Sequence, residues 1–141
     1  MTTTATQDTI ATLLRESKTI AVVGLSSKPE RSSYGVAGYL QKHGYRVIPV
    51  NPRETEVLGE KSYASLNDIP EHVDIVDVFR RSEFVPEIAD QAIKIGARAL
   101  WLQMGVINEE AAEKARAAGL TVVMNQCIAV DHSLFARSLT H

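Results

Sequence analysis

The sequence predicts an α/β fold: one doubly wound domain built on a five-stranded parallel sheet, with helices on both faces. Short runs of β-branched residues alternate with segments whose apolar residues recur at helical spacing, which is typical of consecutive β-α-β units. Each crossover between parallel strands is expected to be right-handed, so that the helices cover both faces of the sheet. The predicted strand order is 3-2-1-4-5, in order of occurrence along the chain.

Length and composition narrow the class of protein. The 141 residues are 45% hydrophobic and 23% charged, which is typical of one soluble globular domain. We expect that domain to span 1–141, with its core at about 19–127. A net charge of −2 disfavours a broad nucleic-acid surface, and the single cysteine excludes an internal disulfide. No signal peptide and no membrane-spanning run is recognisable, so the expected location is cytoplasmic.

The individual elements follow from local patterns. Ile10, Leu13 and Leu14 recur at helical spacing and predict an opening helix over 8–16. Strands are predicted over five apolar runs: 19–23, 46–50, 74–78, 98–102 and 120–124. Helical segments are predicted from Ser32 or Ser33 to His43, over 65–69, over 84–95, after an Asn108 cap, and over 131–141. Pro49 is awkward inside the second strand and suggests a strand end or a local distortion.

The loop after the first strand is the first candidate for ligand binding. In a doubly wound sheet, ligands bind beyond the carboxyl ends of the strands at a switch point, here expected beside strand one. Gly24 permits close backbone approach, and the following helix directs free N–H groups to the same place. Candidate phosphate-binding side chains follow in the sequence: Ser26, Ser27, Lys28, Arg31 and Ser33. The alternative is a polar surface turn with a helix cap.

The second strand ends in Asn51-Pro52-Arg53. An acid at this point would accept hydrogen bonds from a free ribose diol, as in NAD-binding folds. Asn51 lacks that charge, and Arg53 favours a phosphorylated ribose. The pattern therefore disfavours NAD and leaves NADP or coenzyme A (CoA), unless the three residues only form a tight turn.

The remaining strand ends are also polar or glycine-rich. Phe79, Arg80 and Arg81 follow strand three. The two arginines can either bind phosphates or form a solvated pair near acidic residues. Gln103, Met104 and Gly105 follow strand four, and Gly105 permits close approach. Cys127 follows strand five and is either near the crevice or buried and inert. A nucleophilic pair of Cys127 with His132 is a weaker hypothesis, because no orienting partner is evident.

Five segments span about residues 19–127: AVVGLSSKPERSSYGV, VIPVNPRE, VDIVDVFRRSE, LWLQMGV and VVMNQC. Together they resemble the stand-alone CoA-binding proteins, whose domain is similar to the N-terminal domain of the succinyl-CoA synthetase α subunit. This resemblance implies a Rossmann-like fold and CoA as the ligand.

Carried over residue by residue, the resemblance implies three parts of a CoA site. The phosphates are expected at Gly24, Ser26, Ser27, Arg31, Ser33 and Tyr34. The adenosine end is expected near Val50, Asn51, Pro52 and Arg53. The pantetheine arm is expected along Val78, Phe79, Arg80, Gln103, Met104 and Gly105. Cys127 matches a cysteine after the fifth strand of the synthetase pattern.

The resemblance implies binding more than catalysis. The synthetase α subunit continues into a domain with a phosphorylated histidine, and a partner subunit binds the nucleotide; this sequence shows neither. We therefore expect non-catalytic binding of CoA or an acyl-CoA, as sensor, carrier or subunit of a larger system. An NADP-dependent oxidoreductase and a subunit of a split acyl-CoA ligase remain alternatives. No nucleic-acid or membrane partner is expected, and a protein partner or homo-oligomer stays open.

Overall fold

The computed structural model describes residues 5–139, and side chains as far as residue 137. The helices are α1 Gln7–Glu16, α2 Ser32–Lys42, α3 Val85–Lys94, α4 Glu109–Ala117 and α5 Ile128–Leu139. The strands are β1 Thr19–Val23, β2 Arg46–Val50, β3 Glu56–Val57, β4 Glu60–Lys61, β5 Ile75–Val78, β6 Ala99–Leu102 and β7 Thr121–Met124. Two short 3₁₀ turns, Leu66–Asp68 and Ser82–Phe84, complete the described elements.

The predicted fold class is confirmed, but the predicted strand order is wrong. The parallel sheet runs β2-β1-β5-β6-β7, which is 2-1-3-4-5 in order of occurrence of its own strands. β5 pairs directly with β1, for example through Ile20 and Ile75. The connections after β1 and β5 lead to opposite faces, so the switch point lies between these two strands and not between β1 and the fourth strand of the sheet.

The outer edge of β2 is already occupied by another segment of the chain, so no third strand of the sheet pairs there. Tyr63 donates its N–H to the carbonyl of Pro49 at 3.0 Å and accepts from the N–H of Asn51 at 2.8 Å. This bridge follows the β3–β4 hairpin and occupies the place that a third strand would take. Pro49 has no N–H to donate, and β2 is an edge strand of the sheet, where proline is tolerated.

Side chains alternate between the two faces of the sheet. One face packs against α3 and α4 and is lined by Ala21, Val23, Ile48, Val50, Val76, Val78, Leu100, Leu102 and Val122. The other packs against α1, α2 and α5 and is lined by Ile20, Val22, Val47, Ile75, Ala99, Trp101 and Val123. Two apolar layers therefore hold the strand ends of the sheet in fixed positions.

Helix boundaries lie within a few residues of the prediction. Asn108 is the cap of α4, as predicted, because its side chain accepts from the N–H of Ala111 at 3.0 Å. Arg31, and not a serine, occupies the cap position of α2. α5 begins at Ile128, three residues before the predicted helix, whose last two positions lie outside the described residues. Within residues 5–139, none of the helices combines the length and hydropathy that a membrane crossing requires.

Candidate functional site

Gly24 joins the ends of three strands at the switch point. Its φ is +88°, a conformation that favours glycine, and its N–H donates to the carbonyl of Val50 at 2.8 Å. A Cβ placed here would lie 3.1 Å from the Phe79 carbonyl oxygen and 3.1 Å from Cδ of Arg80. A side chain at this position would therefore displace the loop after β5, so the close approach of the two loops requires glycine.

Serine hydroxyls give the loop after β1 its shape. The Ser33 hydroxyl accepts from the N–H of Ser26 at 3.1 Å, and the Ser26 hydroxyl accepts from the N–H of Lys28 at 3.1 Å. The N–H of Arg31 then donates to the Lys28 carbonyl. Both hydroxyl oxygens act as acceptors here, so the proton of each hydroxyl is not used in these two bonds. Lys28 and Arg31 are exposed on this loop, so their charges face solvent at the carboxyl edge.

The N terminus of α2 faces the same loop. Its cap residue, Arg31, has an extended backbone and forms no side-chain cap, and the first turn has no acid. The first N–H groups of a helix lack intrahelical partners and carry the positive end of its dipole. This arrangement suits an anion, as in other loops that lead from a strand into a helix.

Glu54 already contacts this loop, and sequence reasoning did not identify it. Its Oε2 accepts from the N–H of Ser27 at 2.9 Å. The backbone and side-chain hydrogen bonds from Ser27, and then the charge of Lys28, lower the pKa of Glu54, so the carboxylate is ionised at neutral pH. The sequence did contain a signal for this contact. Glu54 is the acid that directly follows Asn51-Pro52-Arg53, but only position 51 was considered for an acid.

The side chain of Asn51 stabilises the turn after β2. Asn51 donates from Nδ2 to the Leu25 carbonyl at 3.0 Å and accepts at Oδ1 from the N–H of Arg53 at 3.0 Å. Both ends of the amide are therefore engaged in joining this turn to the loop after β1. Pro52 and Arg53 are exposed beside it, where they remain accessible to a ligand.

Of the two arginines after β5, only Arg80 lies against the loop after β1. Its alkyl chain lies along Gly24, and its guanidinium carbon lies 4.3 Å from the ring centroid of Phe84. Such stacking orients the guanidinium while leaving its edges available for hydrogen bonds. Arg81 instead forms an exposed ion pair with Glu83 at 3.6 Å. Arg80 is thus the arginine beside the switch point.

Several residues implied by the resemblance support the fold around the site. Val50 and Val78 are buried in the core, and Tyr34 and Phe79 are half-buried against the face lined by α1, α2 and α5. Gln103 is buried, and its Oε1 accepts from the N–H of Ile128 at 3.1 Å. This bond joins the end of β6 to the start of α5.

The loops after β6 and β7 form the far end of the carboxyl edge. Met104 is 69% exposed, and Gly105, with φ +88°, donates its N–H to Oδ1 of Asn125 at 2.7 Å. Cys127 is half-buried, and its carbonyl accepts from the N–H of Asp131 in the first turn of α5. These residues lie two and three strands away from β1 in the sheet.

The hypothetical Cys127–His132 pair finds no support. Nδ1 of His132 is 2.9 Å from the Tyr39 hydroxyl, and the ring is buried among aromatic neighbours. Those neighbours are His43, Tyr45 and Phe135. No Cys127–His132 hydrogen bond is present in the part of the chain that the structure describes. Over the same residues, no group of histidine, cysteine and acidic side chains has the arrangement of a metal site.

The sequence and fold of this chain match those of known proteins. Residues 18–133 match the family model of a CoA binding domain. The uncharacterized protein YneT of Bacillus subtilis is 46% identical over 125 residues, which cover 89% of this chain and 93% of YneT. A hypothetical protein from Pyrococcus horikoshii has a solved structure with a TM-score of 0.91 and 42% identity, covering 96% of this chain and 98% of its own.

A longer relative matches over part of the chain. The α subunit of ADP-forming acetate–CoA ligase II from Pyrococcus furiosus is 41% identical over 69 residues. The match covers 48% of this chain and only 15% of the ligase subunit, so the similar region is a small part of that protein.

Proposed function

Because this chain belongs to the CoA-binding domain family, we propose that it binds coenzyme A or an acyl-CoA at the carboxyl ends of β1, β2 and β5. The observation that carries the proposal is the open N terminus of α2, which has no side-chain cap and no acid in its first turn. That helix end faces a loop with exposed Lys28 and Arg31. A phosphate bound there gains backbone donors, helix dipole and charge together.

The two ends of CoA have different chemistry, and the site offers a match for each. The phosphates bring negative charge to the loop after β1, with Arg80 across the switch point. Exposed Arg53 beside the Asn51 turn suits the 3′-phosphate of the ribose. The pantetheine arm then extends along Gln103, Met104 and Gly105 toward Cys127. This placement of the ligand remains our proposal.

The same geometry disfavours NAD. A free ribose diol is best bound by an acid that has an oxygen to spare after the second strand. The position at the end of the second strand is Asn51, whose amide is engaged at both ends, and exposed Arg53 carries the opposite charge to a ribose-binding acid. The phosphorylated ribose of CoA or NADP is therefore the better match.

Calorimetric titration tests the proposal and separates its alternatives. We expect CoA to bind with one molecule per chain, dephospho-CoA to bind more weakly, and NAD not to compete. Each well-formed hydrogen bond to a charged group contributes roughly 1.5–3 kcal/mol, so loss of the 3′-phosphate contacts gives a measurable difference. Tighter binding of NAD than of CoA would reject the proposal. Tighter binding of NADP than of CoA would favour an oxidoreductase.

A ligase subunit is the second candidate, and the similarity to an acetate–CoA ligase α subunit favours it. Ligation through a phosphorylated histidine would need that histidine near the CoA thiol. Within residues 5–139, His43 and His132 lie in the aromatic cluster, and His72 pairs with Asp74 just before β5, at the opposite edge. We therefore expect the isolated chain to form no thioester from CoA, a carboxylic acid and ATP or GTP. Turnover that disappears on substitution of one histidine would overturn the non-catalytic proposal.

A further inference from the structure

We propose that Glu54 is a built-in anion that occupies part of the phosphate-binding loop and must be displaced when a phosphorylated ligand binds. The inference rests on the proposed binding of CoA and adds a device that regulates its affinity. Its basis is the 2.9 Å bond between the Ser27 N–H and Oε2 of Glu54.

The position of Glu54 is set by the turn that precedes it. Asn51 joins this turn to the loop after β1 through the Leu25 carbonyl, and the N–H of Glu54 donates to the Asn51 carbonyl at 3.2 Å. The bond within the turn fixes the backbone of Glu54, and the Asn51–Leu25 bond joins that turn to the loop at one point besides the carboxylate itself. The contact with Ser27 is thus part of a connected arrangement of two loops.

Through this contact, the Glu54 carboxylate occupies a position where a phosphate of the ligand is expected. A backbone N–H has one proton, so the Ser27 amide donates its main hydrogen bond to the carboxylate or to a phosphate, not to both. The carboxylate is ionised, because hydrogen bonds from Ser27 and the charge of Lys28 lower the pKa of Glu54. A phosphate that approaches the open end of α2 therefore meets competition for a donor as well as repulsion from a like charge.

This competition has two consequences. Without ligand, the carboxylate holds the loop in a shape that already presents its N–H groups. A ligand with little charge or few contacts gains too little to replace it, whereas a polyanion with contacts along the whole edge gains enough.

The test compares Glu54→Gln with the matched control Glu56→Gln. Glutamine keeps the size of the side chain and can accept a hydrogen bond, but it loses the charge. Glu56 is an exposed residue of β3, two positions away, and its substitution removes the same charge without touching the loop. Both variants and the wild type are titrated with CoA and with inorganic pyrophosphate, and the Ser27 amide is followed by NMR.

We expect Glu54→Gln to tighten CoA binding roughly 5- to 10-fold, since a charge-assisted bond is about twice as strong as a neutral one. Glu56→Gln should change the affinity by less than about 2-fold, as expected for the loss of a screened surface charge. Pyrophosphate should follow the same order. Unchanged or weaker binding of CoA by Glu54→Gln would overturn the proposal, and weaker binding would indicate that Glu54 itself contacts the ligand.

The NMR measurement keeps this test separate from that of the proposed function. In the free protein, Glu54→Gln and Glu54→Ala should move the Ser27 amide proton upfield, because the charged acceptor is gone, while Glu56→Gln should leave it in place. If no variant binds CoA but pyrophosphate binding and the Ser27 shift behave as expected, the proposed ligand is wrong. The inference that Glu54 competes with a bound anion is then still supported. If the Ser27 amide does not respond, the contact is absent in solution and the inference fails.

Discussion

Two helices, α2 and α4, begin at the same edge of the sheet, and their N termini are built in opposite ways. Asn108 caps α4 by accepting from the N–H of Ala111, and two acids, Glu109 and Glu110, occupy its first turn. α2 has Arg31 at the cap position, with neither a capping side chain nor an acid. At α4 the Asn108 side chain satisfies one free N–H and the acids repel anions, whereas at α2 no capping side chain occupies the first free N–H groups. This difference between the two helix ends supports the proposed anion site at α2 without reference to any relative.

The two faces beneath these helices differ as well. The buried strand residues that face α3 and α4 are all apolar. The face beneath α2 contains Asp77, which is 0% exposed and lies between Val22 and Trp101 in the sheet. Neither of its carboxyl oxygens has a hydrogen-bond partner among the described residues. Burial raises the pKa of Asp77 well above its usual range, which favours the neutral carboxyl in the folded protein.

Converting the α2 end into an α4-like end should have the largest effect. In Arg31→Asp, the new carboxylate would cap α2 and repel the phosphates of CoA. We expect CoA affinity to fall by at least ~100-fold, while the free energy of unfolding rises by roughly 0.5–1 kcal/mol. Titration calorimetry and denaturant unfolding check the two parts.

Arg31→Ala separates the charge from the cap. It removes the cation without supplying a carboxylate, and should weaken binding by about 1–3 kcal/mol with a smaller dependence on salt. If Arg31 served only in surface ion pairs, which contribute about 0–1 kcal/mol, neither variant would change the dissociation constant. That result would remove α2 from the site.

Asp77→Asn tests the difference between the faces. With a raised pKa, the folded protein holds a proton that the unfolded chain has released above a pKa of about 3.9. The stabilisation from Asp77 is thus fully present below that value and is lost as pH rises toward the folded pKa, at about 1.4 kcal/mol per pH unit. Denaturant unfolding at several pH values should show this slope in the wild type and lose it in Asp77→Asn. Parallel pH profiles for the two proteins would contradict the neutral carboxyl.

Asn108→Ala should affect stability alone. Loss of the α4 cap should cost about 1 kcal/mol in the free energy of unfolding. CoA affinity should stay within experimental error of the wild type, since this helix end is not expected to contact phosphate. Thermal or denaturant unfolding and calorimetry provide the two readouts. A large loss of CoA affinity in a folded Asn108→Ala variant would break the proposed contrast between α2 and α4.

Cys127, at the start of α5, should have the smallest effect on affinity. Cys127→Ser should bind CoA as the wild type does. With CoA disulfide as oxidant, the Cys127 thiolate can attack one sulfur, form a mixed disulfide and release one CoA thiolate. Intact-mass spectrometry should show a slow CoA-sized gain that is absent in Cys127→Ser and reversed by reductant. No adduct while CoA is demonstrably bound would mean that the thiol is out of reach of the ligand.

The element types and the loop after β1 were predictable, because they depend on local patterns. Alternating runs predicted all five strands of the sheet, and Asn108 followed by two acids predicted the start of α4. The strand order was not predicted, and Pro49 was interpreted as a strand end or a local distortion, whereas it lies inside an edge strand. The short β3–β4 hairpin also escaped prediction, since two-residue strands leave little periodicity to detect.

Local chemistry therefore defined the elements, the glycine turn at Gly24 and the positive charges around the end of α2, since each depends on residues close in the chain. Tertiary packing defined how those pieces meet. Tyr63 occupies the outer edge of β2, and β5 consequently pairs with β1, which brings Arg80 to Gly24. The Glu54–Ser27 bond joins residues 27 positions apart, and Asp77 is buried between strands from distant parts of the chain. Such contacts depend on which edges and faces remain unpaired once the whole sheet has formed, and no local pattern contains that information.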